Sequence, residues 1–119
     1  MDLDLKSILN SKTRLSRPQI EYIVKKTDNQ SDYIFLNYLE QKIIEIHGKT
    51  FVKDNTKKIQ YIMSLILDDD MNEFYKFYTG CLEQYMETCK RDIKAVPGFN
   101  ILFTVFVHIA LKIIRQTKN

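Results

Sequence analysis

Polar positions recur every fourth residue in the last third of this chain. From Ile101 to Ile114 the sequence reads ILFTVFVHIALKII, and only Thr104, His108 and Lys112 interrupt the apolar run. On a helix those three form one thin polar stripe. A helix that apolar must be wrapped by other helices or docked on a partner. Upstream, the same spacing marks four more helices. Ser16-Arg17-Pro18-Gln19 is a capping-box start with Pro in the first turn, followed by Ile20, Ile23 and Val24 on one face, with the helix ending near Thr27. Ser31 can cap the next, whose apolar positions are Phe35, Leu36, Leu39, Ile43 and Ile46 and whose stop is Gly48. Asp54 or Asn55 can cap a fourth through Ile59, Ile62, Met63, Ile66 and Leu67, with Thr50 to Val52 in a connection or a short extra turn.

Asp68, Asp69 and Asp70 oppose the dipole at a helix C-terminus and favour the start of the next helix. Asp70 with Glu73 predicts that start, and the stripe of Phe74, Phe77, Tyr78, Cys81, Leu82, Tyr85, Met86 and Cys89 predicts its buried face. Pro97-Gly98 breaks the chain, and Asn100 is placed to cap the final helix. Leu5, Ile8 and Leu9 mark a short leading helix. No stretch sustains period-two alternation. The expectation is an all-α fold: residues 1–119 as a single compact bundle of five to six helices, with the highly apolar C-terminal helix near its centre.

Composition refines this little. At 119 residues the chain is one domain by length and can bury a core without a metal or disulfide. Net charge is +3, too small to indicate nucleic acid alone, but its distribution is uneven. Residues 1–30 carry six basic and four acidic side chains, 31–89 six and ten, and 90–119 six and one. A mixed, solvated surface is the plainer account. The sharper one is a basic patch where the ends meet, comprising Lys12, Arg14, Arg17, Lys90, Arg91 and Lys94. Cys81 and Cys89 sit about 12 Å apart along one helix, too far for a disulfide, and read as small buried hydrophobes in a reducing, cytoplasmic setting. No secretory leader is expected from MDLDLKSILN. A membrane span is not expected either, because the Ile101–Leu111 run falls short of the roughly 20 residues that one needs.

Catalytic and metal motifs are missing from the pattern. His47 and His108 are the only histidines, with no His-Glu-x-x-His and no Cys-x-x-Cys. His108 with Cys81 or Cys89 would make a nucleophile pair, but a lone His on an apolar helix reads first as a hydrogen-bonded core residue. The Asp68–Asp70 cluster lacks the spaced oxygens of a calcium loop. Neither enzyme activity, metal nor cofactor is expected. The aromatic residues carry more weight. Tyr75, Tyr78 and Tyr85 fall on or beside the stripe that runs from Phe74 to Cys89. Their plain role is packing; their functional role would be the walls of a groove for an amphipathic helix. Lys57, Lys58 and Tyr61, or Lys90 and Arg91 near Tyr85, pair cations with rings as single-stranded nucleic-acid binders do.

Two families of small helical regulators resemble this pattern. Ile20-Glu21-Tyr22-Ile23-Val24 through Asp28-Asn29-Gln30, Tyr78-Thr79-Gly80-Cys81 and Phe99-Asn100-Ile101-Leu102-Phe103 resemble, in order, helices of the poxvirus Bcl-fold immunomodulators, over most of the chain. Tyr33 to Leu39, Lys58 to Leu67, and Phe74-Tyr75-Lys76-Phe77 with Leu82 are similar to helices of the caspase-recruitment domain, over residues 17–92. The Gly48-Lys49 region also resembles small helical RNA-binding subunits of bacterial defence complexes. The first two resemblances imply a non-enzymatic intracellular protein that modulates apoptosis or innate immune signalling, in host cytoplasm if viral, by binding a partner through a helical groove or face. Tyr38, Tyr61, Tyr75 and Tyr78 are the partner-binding residues this reading selects. The alternative is a small nucleic-acid-binding accessory subunit using the basic ends. Homodimerisation through the apolar surplus is a third reading.

Overall fold

The computed structural model describes residues 4–90 and 98–117. Seven helices and no strand occur among the described residues: α1 (Leu5–Asn10), α2 (Arg17–Asp28), α3 (Tyr33–His47), α4 (Phe51–Asp54), α5 (Thr56–Leu67), α6 (Met71–Cys89) and α7 (Phe99–Thr117). Five are long; α1 is the short leading helix, and α4 is the extra turn after Gly48.

Helix starts and stops follow local chemistry where side chains are free to cap. Ser16 Oγ accepts from the Gln19 N–H, and the Gln19 side chain accepts from the Ser16 N–H at 2.8 Å, closing the predicted capping box. Asp70 accepts from the Glu73 N–H at 3.1 Å, while Asp69 takes a left-handed turn at φ 53°, so the aspartates end α5 and begin α6 as expected. Gly48 ends α3 at φ 102°. The expected caps of α3 and α5 fail. Ser31 does not cap α3: Asp32 holds the N-cap position without a side-chain cap bond. Its carboxylate is instead engaged by the Ser31 hydroxyl at 3.4 Å and by Lys26 at 3.7 Å. Neither Asp54 nor Asn55 caps α5 with its side chain, because Thr50 donates to Asp54 and the Asn55 amide donates to the Phe51 carbonyl.

Helix α7 is the hub. It packs on α1, α2, α3, α5 and α6, most extensively on α5. Every residue from Phe103 to Leu111 is buried. By length and composition α7 could cross a membrane, yet 67% of that stretch lies inside the fold. Its apolar circumference is spent on the core, with each large side chain contributing about 1.5–3 kcal/mol on burial. Phe103 sits among the rings of Phe74, Tyr78, Phe99 and Phe106, with centroids 5.2–6.4 Å away. Across from it, α6 buries Phe74, Tyr78, Leu82 and Met86, a strict four-residue repeat. The expected wider stripe splits accordingly. Phe77, Cys81 and Tyr85 form a half-buried shoulder, and Cys89, at the last residue of the helix, is exposed rather than buried. Both cysteines are free.

Candidate functional site

The polar stripe of α7 extends one step further than its apolar surroundings advertise. Asn100 does not cap the helix; it lies inside it, 1% exposed, and starts the series Asn100, Thr104, His108, Lys112. Its side-chain amide donates to the Ser11 and Thr13 carbonyls at 3.2 and 3.1 Å, and its side-chain oxygen accepts from the Tyr78 hydroxyl at 2.8 Å. The same hydroxyl accepts from the Leu15 N–H at 3.0 Å. Tyr75 adds a bond to the Leu15 carbonyl at 3.3 Å. Together these groups fasten the connection between α1 and α2 to the start of α7. Burial pushes the Tyr78 hydroxyl up to about 12, so it stays a donor at ordinary pH.

Two turns on, the stripe meets α3. His108 Nε2 lies 2.9 Å from Asn37 Oδ1 and 3.5 Å from Glu40. Lys112 reaches Glu40 at 3.0 Å and Asn37 Oδ1 at 3.4 Å. An ammonium can only donate, so an oxygen of Asn37 faces this cluster. His108 therefore carries its proton on Nε2 and leaves Nδ1 as an acceptor. No protein group bonds that buried Nδ1; the edge of the Tyr33 ring lies against the imidazole at 5.6 Å. Desolvation outweighs the pull of Glu40 and lowers the imidazole to about 4, with Lys112 and Arg115 adding to the drop. Arg115 then closes the end of α2, donating to the Thr27 and Asp28 carbonyls at 3.0 and 2.9 Å, two of the acceptors a helix C-terminus leaves open. His108 is thus the hydrogen-bonded core residue that the pattern favoured. It is not paired with a thiol. Cys81 lines a cleft with Lys58, and burial raises its thiol pKa.

The four tyrosines selected from the sequence part company. Tyr78 is fully buried and belongs to the core, which corrects its assignment as a partner-binding residue: its ring fills the α6–α7 contact and its hydroxyl is consumed inside. Tyr75 is half-buried, held by Leu15 and covered by Arg14 at 6.0 Å. Tyr38 is 57% exposed, with Lys42 over its ring at 5.6 Å. Tyr61 is 43% exposed and rests edge-on against Phe77 at 4.9 Å. Tyr38 lines a hollow on α3 that includes neither Tyr61 nor Tyr75, which stand on α5 and α6.

An exposed apolar face does exist on the N-terminal half of α3. Ile34 is 87% exposed, and Tyr38 follows one turn later; Tyr33, 40% exposed, stands beside Ile34. A shallow hollow runs along these residues past Phe35 and Lys6. The sequence pattern flagged Tyr38 but not Ile34. The available signal was that Ile34 falls outside the Leu36, Leu39, Ile43 stripe. A second concavity, about 430 Å³, opens between α4–α5 and α6–α7 and is walled by Phe51, Tyr85, Phe99 and Phe106, with Phe51 stacked on Phe106 at 5.5 Å.

The basic ends are less of a unit than their charges suggest. Lys12, Arg14 and Arg17 are exposed near the start of α2, with Arg17 paired to Glu21 at 3.0 Å. Lys90 stands at the far end of α6, about 22 Å along that helix from Tyr75, against which Arg14 lies. Arg91 and Lys94 lie outside the described residues. Comparison with known protein families, curated proteins and solved structures gives no match to this chain.

Proposed function

We propose that this chain is a non-enzymatic interaction protein that works inside the cell, binding a partner protein across the exposed N-terminal half of α3. The partner, on this reading, is a component of apoptosis or innate immune signalling, as the family resemblances imply. One observation carries the proposal: Ile34 and Tyr38 stand on the same helix face one turn apart, 87% and 57% exposed. Large apolar side chains in that register are what a helix face offers a partner. The histidine and the more buried thiol support the same reading, since His108 serves to hold α3 on α7 and Cys81 stays protonated.

The test is a binding titration of labelled amphipathic helical peptides from pro-apoptotic proteins, and of death-fold adaptor domains, against the wild-type chain and the Ile34→Ala and Tyr38→Ala variants. A true anchor should cost on the order of 2 kcal/mol or more in binding when truncated. Thermal stability should stay within about 0.5 kcal/mol of wild type, as for exposed positions elsewhere. Failure of every peptide and adaptor to bind, or binding that ignores both substitutions, removes the proposal.

A further inference from the structure

A second surface, separate from α3, stands out by its charge. Lys49, Lys53 and Lys57 recur every fourth residue, Lys58 follows, and Tyr61 continues the same spacing. All five are exposed. Lys49 lies in the turn before α4, and the backbone is hydrogen-bonded from α4 into α5 between Lys53 and Lys58. The Asn55 N–H bonds back to the Phe51 carbonyl, the Ile59 N–H bonds to that of Asn55, and the Thr56 hydroxyl bonds to that of Val52. From Lys53 to Tyr61 the strip is about 12 Å long at 1.5 Å per residue. Among the described residues none of the four lysines is ion-paired, whereas Lys26, Lys42, Lys76 and Lys112 all are. Between residues 47 and 61 Asp54 is the one carboxylate, and the Thr50 hydroxyl already donates to it. Four uncompensated cations in ten residues form a local positive field on a chain whose middle is acidic.

We infer that this face, Lys49 to Tyr61, binds the phosphate backbone of single-stranded nucleic acid, with Tyr61 stacking an unpaired base. The lysine spacing favours a repeating anion over a single one. The half-exposed Tyr61 ring, backed by Phe77, offers a flat platform beside the cations, the combination that sequence-tolerant single-strand binders use. Between Lys49 and Tyr61 no aliphatic side chain is exposed, so the strip itself lacks the wedge that a lipid surface would receive; the nearest exposed ones, Ile46 and Leu67, lie beyond its two ends.

The test is fluorescence anisotropy of a labelled 20-nucleotide oligothymidylate with the full chain at 50 and 200 mM salt. Four phosphate contacts on a single strand predict about a 50-fold loss of affinity over that range. Lys57→Glu with Lys58→Glu should weaken binding at least tenfold at 50 mM and flatten the salt response to about sevenfold, that of two contacts. Tyr61→Ala should weaken binding at least fivefold and leave the salt response unchanged. Circular dichroism of these variants should match wild type, because both lysines and Tyr61 are exposed and the lysines hold no ion pair. Ile34→Ala with Tyr38→Ala should leave oligonucleotide binding intact, which keeps this inference separate from the α3 reading. The inference is overturned by no binding at 50 mM, or by a larger loss from Lys12→Glu with Arg14→Glu than from the Lys57 and Lys58 pair. Equal or tighter binding to a duplex, to polyglutamate or to phosphatidylserine vesicles also overturns it.

Discussion

At its start α7 meets the rest of the fold through neutral groups, and at its end through charged ones. The first cluster joins Asn100, Tyr78 and the backbone of residues 11–15; each Asn100 side-chain polar atom and the Tyr78 hydroxyl has a partner. The second joins Asn37, Glu40, His108 and Lys112, and leaves His108 Nδ1 without a hydrogen bond. Both solve one problem, how an almost wholly apolar helix is given a unique position. Apolar contact is non-directional, so a greasy cylinder can rotate or slide among its neighbours at modest cost. Polar groups at every fourth position remove that freedom, since any slip strands buried donors and acceptors. The neutral cluster does this at all ordinary pH values. The charged one does it only while its imidazole stays neutral.

The largest effect is expected at the neutral cluster. Asn100→Ala deletes three hydrogen bonds at once. It orphans the buried Tyr78 hydroxyl proton and leaves two loop carbonyls to find water. At about 1–3 kcal/mol for each buried group left unsatisfied, partly relieved by solvent at the loop, the cost should reach about 3–4 kcal/mol. Tyr78→Phe, which orphans the Leu15 N–H and the Asn100 oxygen while keeping the ring, should cost about 2 kcal/mol. Urea unfolding of the two variants measures both. If Asn100→Ala proves no worse than Tyr78→Phe, the loop carbonyls were never held by Asn100 in solution.

The charged cluster should reveal itself through pH. His108 titrates near 6.5 when the chain is unfolded and near 4 when folded. Between those values the unfolded state binds the extra proton, so stability must fall as pH drops through that window and is fully present above it. The ceiling is about 3 kcal/mol. His108→Leu should flatten this part of the profile while costing stability at pH 7, because Asn37 loses a partner. Chemical denaturation at pH 7, 5.5 and 4.5 reads both effects. An unchanged slope in His108→Leu would show that other groups carry the acid response.

How much of this could be read from residue order depends on the kind of information involved. Helix positions were legible because capping boxes, glycine stops and four-residue repeats are local. Thus Ser16 with Gln19, Asp70 with Glu73, and Gly48 all act where expected. The central placement of α7 was legible because no other position can bury a residue on every side from Phe103 to Leu111. Asn100 was misread because a cap and a buried hub look alike in sequence. What separates them is Ser11, Thr13 and Tyr78, which lie 22 or more residues away. Tyr78 falls on the buried stripe, as that pattern predicts; only its second assignment, to partner binding, fails, because Leu15 and Asn100, 63 and 22 residues away, consume its hydroxyl inside. Ile34 is not legible in residue order, because an exposed isoleucine leaves no local mark beyond falling out of register. The ladder from Lys49 to Tyr61 was half visible through Lys57, Lys58 and Tyr61. Its continuation required knowing that the backbone of α4 hydrogen-bonds directly into α5.

Thr104 lies between the two clusters on the same stripe and sets the lower bound of the comparison. It is fully buried, and its hydroxyl donates to the Asn100 carbonyl at 2.7 Å, one turn back on its own helix. That bond joins no second element, so it does not fix the rotation of α7. The carbonyl it uses already serves the helix ladder. Thr104→Val keeps the shape, removes a donor that has no other duty, and places a methyl where the surroundings are apolar. The expected change is within about 0.5 kcal/mol of zero at pH 7. The acid response should match wild type, since the residue faces neither Glu40 nor His108 through any hydrogen bond. A loss above 1 kcal/mol in urea unfolding would mean that Thr104 supports Asn100 in its contacts with the α1–α2 connection, and that the neutral cluster extends one turn further into the core.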